Sequence, residues 1–325
     1  MTLPQLGPLI VRLAVGLCLG LILLIALALA WGGPAPAPPL DSVNAPFATV
    51  DLSGLPDVQR WAARDGASLA YRHYPPATDA HAPMRVVLIH GSSASSRSMH
   101  TLAIALVRAG FVVDALDMRG HGDSSPRGDI AYIGQLEDDV ADFMRAHPFE
   151  GRNVLVGFSS GGGFALRLAG GPQQTMFDRY VLLAPYLRYD APTARPDNGG
   201  WVSVGIARVV ALRLFNQAGI TLFNHLPVTR FALDSWGQKN LTPQYGYTLA
   251  ANFAPHDHWR EDIAQARAPI QVLVGQDDEL FIPEQFAPAF AGARQPVPVT
   301  LVPHANHMGI ILQPGAVQAV AQALQ

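Results

Sequence analysis

Cysteine and lysine are almost missing from this sequence: each occurs once, as Cys18 and Lys239. A single thiol excludes any intrachain disulfide and any zinc site built from cysteines. Charge is sparse as well. Only 14% of the 325 residues are charged, the net charge is −3, and no long run of one sign occurs. Nucleic acid is therefore not an expected partner, since its binders carry a concentrated basic patch. What is abundant is apolar: 49% of the chain is hydrophobic, enough for one large domain or a core with an insertion. No internal repeat is visible.

The apolar excess is concentrated first in Leu13 to Trp31 (LAVGLCLGLILLIALALAW), 19 residues without a charge. As a helix this stretch would be roughly 28 Å long, which matches a bilayer core. Arg12 precedes it and no Lys or Arg follows until Arg60, so the positive-inside rule puts the N-terminus in the cytoplasm and the rest outside it. Trp31 stands where an interfacial aromatic would. A secretory signal cut near Ala28-Leu29-Ala30 is the rival reading, and export follows from either. A buried helix of a soluble core is disfavoured because the run is apolar on every face. Residues 1–31 are thus expected to be a transmembrane anchor or signal segment. Residues 32–48, which begin GGPAPAPP, form a Pro/Ala-rich linker not expected to pack, and residues 49–325 form the globular domain.

Within that domain, Gln59 to Ala63 and Ser68 to Tyr74 flank Arg64-Asp65-Gly66, which signals a hairpin. Short apolar runs then alternate with helical spacing. Met84 to His90, Phe111 to Asp117, Asn153 to Phe158, Arg179 to Ala184, Ile270 to Gly275 and Pro298 to Val302 read as strands. Ser98 to Ala109, Tyr132 to His147, Glu284 to Phe290 and Ala316 to Leu324 read as helices. This rhythm predicts an α/β fold with a mostly parallel, doubly wound sheet. It breaks from about 186 to 266, where Val202 to Phe223 suggests one or two apolar helices and no strand is evident. The expectation is a helical cap insertion over the carboxyl ends of the strands, where sites in such sheets gather.

The stretch that organises the chain is Asn153 to Leu168 (NVLVGFSSGGGFALRL), a buried strand running into a helix through Gly157-Phe158-Ser159-Ser160-Gly161. On a strand-to-helix turn this G-x-S-x-G places the serine hydroxyl at the tip of a strained elbow, in front of a helix N-terminus. A Cβ on Gly157 or Gly161 would collide with the adjoining strand and helix. A serine needs an imidazole to take its proton and a carboxylate to orient that imidazole. After Ser159 the chain offers Asp277 or Asp278 beyond the strand ending at Gly275, then His304 or His307 beyond the last strand. The residue types, the order and the post-strand positions all suit a nucleophile, acid and base.

From about Arg60 to its end the chain resembles the α/β-hydrolase fold family, in particular its capped esterase, monoglyceride-lipase-like and serine-aminopeptidase-like members. The matching residues are His90-Gly91, Asp117 to Ser124 (DMRGHGDS), Gly157 to Gly161, Gly275-Gln276-Asp277-Asp278 and Pro303 to His307. The resemblance implies Ser159 as nucleophile, His307 as general base and Asp278 as the acid that orients it. It also implies an oxyanion hole made by the backbone N–H groups of Ser92 and Ser160. His90, Arg119, His121 and Asp123 are expected to brace loops, and His256-Asp257-His258 lacks convincing metal-site context.

The implied function is a serine hydrolase of carboxylic esters that works through an acyl-enzyme and needs no cofactor or metal. An apolar cap beside a membrane anchor suits a lipophilic acyl ester as substrate, and the implied location is membrane-anchored with the catalytic domain outside the cytoplasm. Peptidase, amidase or thioesterase chemistry would run on the same three residues, and a non-catalytic, membrane-anchored scaffold of the same fold is the alternative of a different class.

Overall fold

A computed structural model describes residues 3–76 and 84–325, so the first two residues of the expected 1–31 segment lie outside the described residues. Among the described residues, eleven strands form two sheets: β1 (Val58–Ala62), β2 (Ser68–Tyr74), β3 (Met84–Ile89), β4 (Val112–Asp117), β5 (Arg152–Phe158), β6 (Arg179–Leu183), β7 (Val202–Val204), β8 (Pro227–Phe231), β9 (Gln244–Gly246), β10 (Ile270–Gly275) and β11 (Val299–Val302). The helices are α1 (Leu3–Trp31), α2 (Asp41–Thr49), α3 (His100–Arg108), α4 (Gln135–Ala146), α5 (Ser160–Gly170), α6 (Ile206–Gln217), α7 (Ser235–Asn240), α8 (Tyr247–Asn252), α9 (Trp259–Gln265), α10 (Phe286–Ala289), α11 (Gly309–Leu312) and α12 (Pro314–Leu324).

The main sheet has eight strands in the order β1-β2-β4-β3-β5-β6-β10-β11. β1 and β2 form the expected antiparallel hairpin, and β2 joins the rest antiparallel to β4. The other pairings are parallel. β3 shows why its sequence, Arg85 apart, is apolar without alternation: all six of its residues are buried, as in a strand covered on both faces, and Arg85 is bonded to Asn153 and His147. α4 carries Glu137 and Asp138 in its first turn and Arg145 in its last, matched to the helix dipole. It begins at Gln135 rather than Tyr132, after Gly134 at φ +107°, a conformation that glycine adopts without the Cβ penalty.

Every parallel strand ends on the same edge of the sheet. Ile89 pairs with Gly157 and with Leu116, and Phe158 pairs with Leu183, so the loops after β3, β4, β5 and β6 start side by side. Gly275 pairs with Val302 and brings the loops after β10 and β11 to that edge too.

Two expectations about the rest of the chain are corrected. The insertion at about 186–266 contains helices α6 to α9, but also a three-stranded antiparallel sheet, β7-β8-β9. Its strands are three to five residues long, too short for a period, and Gly205 alone separates β7 from α6, so the apolar run looked like continuous helix. The linker, in turn, packs. α2 runs across the expected boundary at residue 48, buries Val43 and Asn44, and Asn44 bonds the insertion through Ala232 O at 2.8 Å and Asp234 N at 3.1 Å. Proline and alanine dominate only its first half.

Candidate active site

Ser159 follows β5 and stands one residue before α5, with φ +53° and ψ −118°. A left-handed backbone on a non-glycine residue is strained and is held only by its surroundings. Here the Ser159 N–H donates to Leu183 O at 2.9 Å, while Ser159 O accepts from the amides of Gly163 and Tyr186, both at 3.0 Å. The flanking glycines make room for the turn. A Cβ on Gly157 would lie 2.2 Å from Gly161 O, and one on Gly161 would lie 2.4 Å from His90 O.

Of the two candidate histidines, His307 reaches the serine: its Nε2 lies 3.1 Å from Ser159 Oγ. Its Nδ1 lies 2.9 Å from Asp278 Oδ2. Asp278 Oδ1 accepts from the amides of Leu280 at 2.9 Å and Phe281 at 2.8 Å, so both carboxylate oxygens are occupied. Burial would raise the Asp278 pKa, but the His307 imidazole beside it and the two amides outweigh that and hold the carboxyl below its ordinary value. An ionised carboxylate only accepts, so His307 carries its proton on Nδ1 and turns the Nε2 lone pair toward the serine. The rings of Phe158 and Phe281 flank the imidazole at 4.9 and 5.2 Å between centroids. Ser159, Asp278 and His307 are all buried, whereas Asp277 and His304 are exposed and outside the cluster.

Ser92 and Ser160 sit next to the serine, on opposite sides of it in the chain. Ser160 is the first residue of α5. The loop bearing Ser92 passes close enough that a Cβ on Gly91 would lie 3.3 Å from Ser159 Cβ. Among the described residues, neither amide donates to a neighbouring loop or turn.

The expected bracing residues have identifiable partners. His90 Nε2 accepts from Met118 N at 3.2 Å and its Nδ1 faces Gly91 O at 2.8 Å. Arg119 bridges Asp139 and Asp65. Asp123 contributes its backbone N–H, which donates to Asp117 Oδ2 at 2.9 Å, while Asp117 Oδ1 accepts from Ser96 N at 2.6 Å. Complete burial pushes the His90 and His121 pKa values below the ordinary imidazole range, so both rings are neutral. His256 pairs with Asp262 at 2.6 Å.

Three contributors escaped the sequence. Tyr245 of β9 holds the Ser93 amide at 2.6 Å and bonds His121 Nε2 at 2.6 Å. Trp201, just before β7, donates from Nε1 to Ser92 Oγ at 2.9 Å. Glu279, adjacent to Asp278, accepts the His307 backbone N–H at 2.9 Å. The first two come from the insertion, 152 and 109 residues from their partners, and no local pattern announces such a contact. The insertion thus grips the loop beside Ser159, through Thr242 as well, whose amide donates to Ser93 O at 2.8 Å.

Residues 80–310 match the protein-family model described as "Serine aminopeptidase, S33". Among solved structures, a soluble variant of monoglyceride lipase from Saccharomyces cerevisiae is 17% identical with a TM-score of 0.61, covering 85% of this chain and 96% of the other. Monoacylglycerol lipase from Paleococcus ferrophilus is 18% identical with a TM-score of 0.59, covering 79% and 98%. A thermophilic esterase from Thermogutta terrifontis is 21% identical with a TM-score of 0.57, covering 82% and 96%. At these identities the likeness is one of fold. A curated protein, a probable alcohol acetyltransferase of Cyberlindnera fabianii, is 27% identical over 121 residues, which span about a third of each chain (35% and 32%).

Proposed function

Since this chain belongs to the S33 serine aminopeptidase-like family of α/β hydrolases, we propose that it is a serine hydrolase that cleaves carboxylic esters, with Ser159 as nucleophile, His307 as general base and Asp278 as the orienting acid. The observation that carries this reading is the unbroken run from Ser159 Oγ to His307 at 3.1 Å and on to Asp278 at 2.9 Å, beginning at a backbone-strained serine.

Ser159 Oγ attacks the acyl carbonyl while His307 Nε2 accepts its proton, and the Asp278 carboxylate stabilises the imidazolium that results. The carbonyl oxygen becomes an oxyanion. The amides of Ser92 and Ser160, with the N-terminus of α5 behind them, are the donors suited to meet it, each contributing about 3 kcal/mol to transition-state stabilisation. Collapse of the tetrahedral intermediate returns the proton to the departing alcohol and leaves an acyl-serine. Water, activated by the same histidine, then releases the acid. Neither a metal nor an organic cofactor enters these steps.

A lipophilic acyl ester suits the site, because Phe158 and Phe281 line its histidine and several similar folds belong to lipases and esterases. α1 favours a membrane location. Val11–Trp31 is long and apolar enough to span a bilayer, and no residue of it is fully buried, although its last turns rest on α6. The arrangement of Arg208, buried in the insertion, supports retention of α1 over its removal as a signal. Its guanidinium donates to Leu29 O and Ala30 O, acceptors it would lose if the chain were cut there. With Arg12 on the inner side, the catalytic domain lies outside the cytoplasm.

The test is turnover of p-nitrophenyl esters from acetate to palmitate by the full chain in detergent, beside Ser159→Ala and His307→Ala. Loss of activity in both variants is the expected result. Activity of the parent only on amide or thioester substrates would keep the mechanism and replace the substrate class. Full activity of Ser159→Ala would overturn the proposal.

A further inference from the structure

The insertion carries an exposed apolar stripe that the site does not use. On α6, Ile206, Val210 and Leu214 recur every fourth residue and are 65%, 53% and 47% exposed, and in the loop that follows Ile220 and Leu222 are 45% and 74% exposed. Four-residue spacing puts the first three on one helical face. Scattered exposed leucines are ordinary, but five large apolar side chains within 17 residues mark a surface suited to an apolar partner.

The same helix is joined to the end of α1. Arg208 donates from Nε to Leu29 O at 2.9 Å and from Nη2 to Ala30 O at 3.1 Å, and its own amide donates to Gly32 O at 3.3 Å. Its remaining nitrogen, Nη1, holds Pro227 O of β8 at 2.8 Å. One buried cation therefore satisfies the terminal carbonyls of α1, the negative end of that helix, and ties them to the insertion. The contact is close. A Cβ on Gly32 would lie 3.0 Å from Ala207 Cβ, the neighbour of Ile206. Local charge does not oppose a lipid partner: between Asp197 and Asp234 the chain has no carboxylate, and of its three arginines Arg208 is buried on carbonyls, Arg213 pairs with Asp257 at 2.8 Å, and Arg230 is half-buried.

We infer that the α6 face and the 220–222 loop rest in the lipid interface, so that the enzyme meets the bilayer twice, through α1 and through the insertion that grips the loop beside Ser159. The occupant of the stripe is the bilayer into which α1 inserts, because the stripe begins where α1 ends and Arg208 fixes one to the other. This rests on the reading of α1 as a retained anchor. Its consequence is that substrate dissolved in the membrane is presented to the insertion side of the site.

Cys18 is the only cysteine, so a Cys18→Ser background permits single labels. An environment-sensitive fluorophore is placed in the full chain at Val210→Cys, Leu214→Cys or Leu222→Cys, at Leu23→Cys within α1, and at Glu150→Cys on the opposite end of β5. The proteins are reconstituted into phosphatidylcholine/phosphatidylglycerol vesicles containing acyl-chain spin-labelled quencher lipid. Quenching at the three insertion sites about threefold or more above that at position 150, approaching that at position 23, is expected for an interfacial segment. Arg208→Gln should lower quenching at position 214 by about half while leaving position 23 unchanged, as loss of the tie requires. If position 23 is quenched but the insertion sites behave like position 150, the anchor reading stands and this inference falls. If position 23 is not quenched, both fall. Insertion labels shielded from lipid quencher and from aqueous iodide alike would mean that a second protein copy covers the stripe, which also overturns it.

Discussion

The sheet edge and the insertion above it solve different problems with the same residue types. At the edge, the acid and the histidine are buried with every polar side-chain atom engaged: Asp278 uses both oxygens, and His307 uses both ring nitrogens. In the insertion, apolar side chains are exposed and the buried cation, Arg208, is spent on main-chain carbonyls of another element. Fixed geometry at the edge suits bond making, since groups already oriented need no reorganisation as charge develops. The exposed insertion suits contact with something outside the chain. Tyr245 and Trp201 join the two regions, reaching from the insertion to the loop that bears Ser92.

The contrast can be broken most severely at the edge. Asp278→Asn replaces the carboxylate that faces His307 Nδ1 and should lower kcat on the order of 10⁴-fold through the wrong imidazole tautomer, while the exposed neighbour variant Asp277→Asn should stay close to wild type; steady-state ester hydrolysis reads both. Gly161→Ala is next. Its Cβ would meet His90 O at 2.4 Å and Ile89 O at 2.7 Å, both main-chain atoms, so an unfolding free energy lower by about 1–3 kcal/mol is expected from denaturant titration.

Substitution at the junction reads how tightly the two regions are coupled. Tyr245→Phe leaves the Ser93 amide and His121 without their buried partner while removing no apolar contact. A loss of about 1–2 kcal/mol is expected, seen as a kcat about tenfold lower with KM little changed if the insertion positions the Ser92 amide. An unchanged kcat would mean that the insertion grips the loop without setting its geometry.

The smallest effect lies between the neighbouring strands β2 and β4, where His73 pairs with Asp114. The Asp114 carboxylate, bonded to His73 at 2.8 Å, raises the His73 pKa above its ordinary value. A raised imidazole stabilises the fold below the unfolded value of about 6.5 and ceases to do so as pH rises through the folded value. The melting temperature of wild type should therefore exceed that of His73→Asn at pH 5.5, and the gap should close by pH 9.

Much of the edge was legible in the sequence because its determinants are local. β3, β5 and β10 are short apolar runs closed by glycine or a small polar residue, and each ends in a chemically distinctive loop, so the pattern fixes both element and position. The choice between Asp277 and Asp278 was a different matter. Spacing allowed either, and what separates them is the amides of Leu280 and Phe281, which fold back on Asp278 alone. The insertion was poorly legible for a physical reason. β7, β8 and β9 have no period to detect at their length, and the roles of Trp201, Arg208 and Tyr245 rest on contacts across more than a hundred residues. α2 illustrates the remaining case: the GGPAPAPP run that opens residues 32–48 suggested a passive spacer, and Asn44 makes the second half of that segment a contact.

The central claim, that Ser159 is a nucleophile activated by His307, is tested most directly by covalent capture. The full chain is treated with a fluorophosphonate, and the adduct is located by intact mass and peptide mapping. One adduct on Ser159, absent in Ser159→Ala and formed far more slowly in His307→Ala, is the expected result. A folded chain that takes no label at Ser159, or that labels there equally fast without His307, would contradict it.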